Sequence, residues 1–206
     1  MKKTTVLIAD DHAMVRAGLA SLLGSKKDLQ VVGQAKNGNE AVEKALSLHP
    51  DVILMDLLMP AKDGTQATIE ILRQSPETKV LILTSAGSAD GIARALAAGA
   101  AGAILKSSDF SELVAAIRAV AAGERRIAPE IRKTFAEDPP LPELTKRQEE
   151  ILSSVMRGLT NADIARQLAL HEQSIKSHIN LICTKLGAAN RAEAVAIALR
   201  KHLLKI

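Results

Sequence analysis

Five side chains within the first 106 residues are of types that handle phosphate: Asp10, Asp11, Asp56, Thr84 and Lys106. Each stands at, or just past, the end of a short apolar run. Three carboxylates drawn together repel one another, and a shared cation relieves the repulsion. A hard divalent ion suits oxygen ligands, and Mg²⁺ suits best, because few carboxylates hold it together with waters and phosphate oxygens. The backbone carbonyl of Leu58 offers one further ligand. Thr84 brings a hydroxyl donor and Lys106 an ammonium. A cation, a donor, a counter-charge and an in-line nucleophile are what a phosphoryl group in transfer requires. Asp56 is the best nucleophile of the set, and its product would be an acyl phosphate. Taken singly, each residue has a plainer reading. Asp10-Asp11 would cap a helix, Asp56 and Thr84 would end strands, and Lys106 would be a solvated charge. Their joint arrival at one edge outweighs those readings. A nucleotide site is disfavoured by the lack of a Gly-rich phosphate loop. His12 and His49 show no ligand spacing and receive no function.

The elements that must position these groups follow from periodicity. Short apolar runs at 4–9, 29–35, 52–55, 79–84 and 102–105 read as strands. Val52 to Met55 carries four apolar residues in a row, which marks a strand buried on both faces. Helical spacing fills the gaps: 12–23, 38–48, 65–73, 89–98 and 109–122. Gly24, Pro50, Gly99 and Gly123 serve as stops. Strands alternating with helices predict an α/β doubly wound, five-stranded parallel sheet, because crossovers are right-handed. All strand C-termini then share one edge, where ligands bind in such sheets. Asp56 ends the central strand.

The pattern breaks after Gly123. The expected division is residues 1–125 as the first domain, 126–142 as a Pro-rich linker and 143–206 as a small all-α domain. In the last part, helices are expected at 145–157, from Thr160 or Asn161 to Leu168, from 171 to 186, and from 190 to 204. Thr145 and Gln148 have capping-box spacing. Charge divides at the same place. Residues 1–140 hold 17 Lys+Arg and 17 Asp+Glu, so the whole net charge of +4 lies in residues 141–206. That favours a polyanionic partner for the helical part alone. Phe110 and Phe135 are the only aromatic residues, so the core is aliphatic and base stacking is disfavoured. The single cysteine, Cys183, excludes an internal disulfide framework and suits a reducing, cytoplasmic setting. The N-terminal segment does not read as a signal peptide, and no stretch reads as a membrane span, so no membrane partner is expected.

Two helices joined by a short turn can offer the second to the DNA major groove. On the 171–186 helix, Lys176, Ser177 and Asn180 share a face, while Ile175, Ile179, Ile182 and Leu186 share the other. Lys176 can donate to guanine and Asn180 can pair with adenine. Lys146, Arg147, Lys185 and Arg191 are candidates for phosphates, which position without reading sequence. His178 reads as a packed residue.

The quoted segments resemble a known family. Ile8-Ala9-Asp10-Asp11-His12, Asp56 to Gly64, Thr84-Ser85-Ala86 and Leu105-Lys106 are similar to the receiver domain of two-component response regulators, a flavodoxin-like fold. Leu144 to Gln148, Gly158 to Ala165, Ile175 to His178, Lys185-Leu186-Gly187 and Arg191-Ala192 resemble the LuxR/NarL/FixJ helix-turn-helix domain. The resemblance implies that Asp10, Asp11 and Asp56 hold Mg²⁺. It implies that Asp56 accepts phosphate from a cognate histidine kinase, and that Thr84 and Lys106 sense it. It implies a homodimer on activation or on duplex promoter DNA, and a regulator rather than an enzyme. The chain departs from the family pattern at three positions. Ala103 replaces an aromatic residue, Gln148 a glutamate, and His171 a Ser or Thr at the start of the recognition helix. Without the aromatic at 103, coupling of phosphate to DNA affinity is expected to be modest. The alternative function is a phosphorylation-independent interaction module with a vestigial helical domain.

Overall fold

The computed structural model describes residues 3–85, 89–137, 139–142, 144–201 and 203. The chain forms two compact units, Met1–Pro139 and Pro140–Ile206. The first alternates β1 (Thr4–Ala9), α1 (Ala13–Gly24), β2 (Leu29–Ala35), α2 (Gly38–Leu48), β3 (Val52–Met55), α3 (Gly64–Gln74), β4 (Lys79–Thr84), α4 (Ala89–Ala97), β5 (Gly102–Leu105) and α5 (Phe110–Ala121). Two further elements, β6 (Arg126–Ile127) and α6 (Pro129–Glu137), follow. The strands lie parallel in the order β2-β1-β3-β4-β5-β6. β1 and β3 are therefore flanked on both sides, and every residue of β3 is buried. The core is aliphatic throughout, with Val6 to Ile8, Val52 to Met55 and Val80 to Ile82 at 0–1% exposure.

The sheet has six strands where five are expected from the sequence. β6 is two residues long, too short for any alternation to register. Its place is legible only in three dimensions. A Cβ on Gly102 would sit 2.0 Å from the carbonyl oxygen of Arg126, so glycine lets the two backbones pair. The amide of Ala128 donates to the carbonyl of Ala103 at 3.0 Å, and Ala103 is wholly buried. Residues 126–137, read from the sequence as linker, thus carry structure, and the buried Ile131 joins α6 to the core.

The second unit consists of α7 (Lys146–Met156), α8 (Asn161–Leu168), α9 (Glu172–Leu186) and α10 (Arg191–Arg200). Thr145 and Gln148 form the expected capping box, and Thr160 forms a second one with Asp163. His171 stands at the N-cap of α9 without a side-chain hydrogen bond, as its type predicts. Ile175, Ile182 and Leu186 are buried as expected, and Ile179 half-buried. Leu204, where the last helix was expected to end, and Ala86 of the Thr84-Ser85-Ala86 motif lie outside the described residues. Among the described residues no helix is long and apolar enough to cross a membrane.

Candidate functional site

The acidic edge is built by strand ends. β1 delivers Asp10, whose amide donates to the carbonyl of Ala35 at 3.1 Å. β3 delivers Asp56, whose amide donates to the carbonyl of Ala9 at 2.8 Å. β4 ends at Thr84, and the amide of Lys106 donates to its carbonyl at 2.7 Å as β5 ends. The loop after Asp56 is drawn close. A Cβ on Gly64 would lie 2.0 Å from the carbonyl oxygen of Asp56. The Gly64 amide donates to the carbonyl of Leu57 at 3.0 Å, and Asp63 caps α3 by accepting from Gln66.

Asp10 and Asp56 are almost fully buried, and Lys106 joins them. Its Nζ lies 2.7 Å from Asp10 Oδ2 and 2.8 Å from Asp56 Oδ2. Burial pushes the Asp56 carboxyl above its ordinary range, and the Lys106 hydrogen bond and charge offset only part of that rise. Burial acts against the Lys106 ammonium too, but the bonds to Asp10 and Asp56 outweigh it and hold its pKa up. The backbone amide of Leu58 donates to Asp56 Oδ1 at 3.4 Å. Thr84 is buried at the same edge. Asp11 is exposed at the rim.

One neighbour had no assigned role in the sequence. His12 Nδ1 lies 2.8 Å from Asp11 Oδ1 and 3.2 Å from Asp10 Oδ1, and its amide donates to Asp10 Oδ1 at 2.8 Å. Asp10, Asp11, His12 and Asp56 bring one ligand-type atom each within 4.8 Å of one another. Adjacency to Asp10-Asp11 was the signal available; the backbone turn that aims the ring was not.

In the second unit Lys176, Ser177 and Asn180 are all exposed on α9, opposite its buried isoleucines. The four candidate phosphate contacts divide. Lys146 is exposed. Arg147 Nη2 donates to the carbonyl of Leu168 at 2.7 Å and its Nη1 to Glu150 Oε2 at 2.9 Å. Lys185 Nζ donates to Gln148 Oε1 at 3.0 Å, and Arg191 Nη2 to the carbonyl of Leu159 at 2.8 Å. Cys183 is half-buried; burial, with the charge of Glu193 second, pushes its thiol up and away from reactivity.

Residues 6–118 match the family model of the response regulator receiver domain, and residues 142–198 that of the luxR family of bacterial regulatory proteins. The transcriptional regulatory protein LiaR of Bacillus subtilis (strain 168) is 39% identical, over 97% of this chain and 98% of its own length. The response regulator protein VraR of Staphylococcus aureus (strain NCTC 8325 / PS 47) is 38% identical over the same shares. Among solved structures, the response regulator ChrA of a heme-sensing two-component system is 34% identical. It aligns with a TM-score of 0.60 over 99% of this chain and 100% of that one.

Proposed function

From the premise that this chain belongs to the response regulators joining a receiver to a luxR-family DNA-binding domain, we propose that its control as a transcription factor runs through Asp56. The donor is a phosphohistidine on a cognate histidine kinase. A carboxylate oxygen of Asp56 attacks phosphorus in line, the phosphorus–nitrogen bond breaks, and its electron pair stays with the imidazole. The product is an acyl phosphate on Asp56. Lys106 balances the charge gathered on the phosphoryl oxygens, and Thr84 donates its hydroxyl to one of them. The observation that carries this reading is the lysine bridge, with Nζ at 2.7 and 2.8 Å from two buried carboxylates that end different strands.

The donor set fits a hard divalent ion: carboxylates within 4.8 Å of one another, with Lys106 the neutralising cation between two of them. Mg²⁺ would be held by Asp10, Asp11, Asp56 and the carbonyl of Leu58. When bound it supplies positive charge at the phosphoryl oxygens. Asp56 takes up one phosphoryl group per chain, so the site works as a switch and not as a turnover catalyst. The polyanion partner of the basic unit is duplex promoter DNA, read by Lys176, Ser177 and Asn180, with a homodimer as the bound form. The setting is the cytoplasm, where kinase transmitter and DNA meet.

With Mg²⁺ and acetyl phosphate, intact-mass spectrometry should register one added phosphoryl group. Asp56→Ala and a chelator should each remove it. An unchanged gain in Asp56→Ala would overturn the assignment.

A further inference from the structure

Gln148 is 5% exposed, a buried polar residue that the phosphate chemistry does not use. Its Oε1 accepts two hydrogen bonds, from the Thr145 amide and from Lys185 Nζ, both at 3.0 Å. Lys185 lies in the last turn of α9. Arg147, the adjacent residue on α7, bonds the carbonyl of Leu168, which ends α8 just before the turn into α9. That turn passes through Ala169 in the left-handed region, at φ 51°, and α9 then starts on a histidine that does not cap it. A guanidinium on the last carbonyl of α8 also sits at the favourable end of that helix's dipole. Two consecutive residues of α7 therefore hold the helix-turn-helix: Gln148 the last turn of α9, and Arg147 the end of α8 that leads into the turn before it.

We propose that Arg147 and Gln148 are positioning residues for DNA sequence reading, and that Lys185 and Arg147 serve this hold and not the phosphate backbone. The proposal rests on the DNA-binding reading above. Lys176 is nine residues from Lys185, about 13 Å along a helix. A tilt of roughly 10° about a loosened end moves it about 2 Å, several times the ~0.5 Å tolerance of a productive contact. Base contacts are lost by that movement, whereas nonspecific phosphate attraction is not, because it does not depend on register.

The test uses the full chain and two probes: the duplex that the wild type enriches from a randomised pool, and a shuffled duplex of the same composition. Arg147→Gln and Gln148→Leu should each weaken the enriched duplex about tenfold, the scale of one base pair's recognition. Shuffled-duplex affinity and the slope of log affinity against log salt should stay at wild-type values. Gln148→Glu keeps an acceptor for Lys185 and should retain the preference, so the proposal stands on Arg147→Gln and Gln148→Glu even if Gln148→Leu fails to fold. Equal loss on both duplexes, with a slope shallower by about one in Arg147→Gln, would identify a phosphate contact and overturn the proposal. So would an unchanged preference in Arg147→Gln, or a lost one in Gln148→Glu. A wild type that enriches no duplex would instead refute the DNA reading itself.

Discussion

At the sheet edge Lys106 lies between two buried carboxylates, 2.7 Å from Asp10 and 2.8 Å from Asp56. In the helical unit Arg147, Lys185 and Arg191 donate to neutral acceptors, the carbonyl of Leu168, the amide of Gln148 and the carbonyl of Leu159, and the one carboxylate Arg147 also meets, that of Glu150, is exposed. The residue types are the same and the bond lengths similar, yet the consequences differ. A cation between carboxylates, one of them raised by burial, is the arrangement that the proposed phosphoryl transfer to Asp56 would draw on. A cation on a carbonyl satisfies a group that would otherwise be costly to bury, and it fixes how helices sit. What a lysine or arginine does is set by its acceptor, and sequence does not name the acceptor.

The comparison breaks first, and most visibly, at Lys106. Lys106→Ala should slow phosphoryl gain from acetyl phosphate about a hundredfold, roughly 2.7 kcal/mol, the usual loss for one donor to a transition-state oxygen. A rate within a few-fold of wild type, followed by mass spectrometry, would make Lys106 as architectural as Arg147.

On the helical side, two exposed cations should part company. Lys176→Ala should cost about 1–3 kcal/mol on the best duplex and relax preference at one position, measured by competition binding over related sites. Lys146→Ala should weaken all duplexes alike and make the salt slope shallower by about one. Indistinguishable profiles for the two would remove α9 as the reading face.

The smallest effect concerns what Asp56 costs the fold. Burial, stronger than the opposing Lys106 bond and charge, raises its carboxyl. The folded state therefore binds that proton more tightly than the unfolded chain does. The associated stability is fully present below the unfolded value of about 3.9 and is lost as pH rises through the higher folded value. Asp56→Asn, neutral at every pH, should melt somewhat above the wild type near neutrality without Mg²⁺, and the gap should close in acid. A lower melting temperature near neutrality would mean that the bond to Lys106 matters more to the fold than the desolvation of Asp56.

Ala103 is legible by type in the sequence, while its surroundings come only from the structure. From the sequence, its small side chain leads to an expectation of modest coupling between phosphate and DNA affinity. In the structure it is buried beside β6, with Gly102 opening the way for the Arg126 backbone.

The sequence by itself determined the alternation of strands and helices, the buried character of β3, the capping box at Thr145, and the strand-end placement of Asp10, Asp56, Thr84 and Lys106. These are local matters: apolar period, cap chemistry and the rule that parallel strands end at one edge. Tertiary structure alone decided the sixth strand, the aim of the His12 ring at Asp10 and Asp11, and the acceptors of Arg147, Lys185 and Arg191. A two-residue strand has no period, and long cationic side chains reach partners 21 to 37 residues away. Such pairings come from packing distant segments together, which no local pattern encodes.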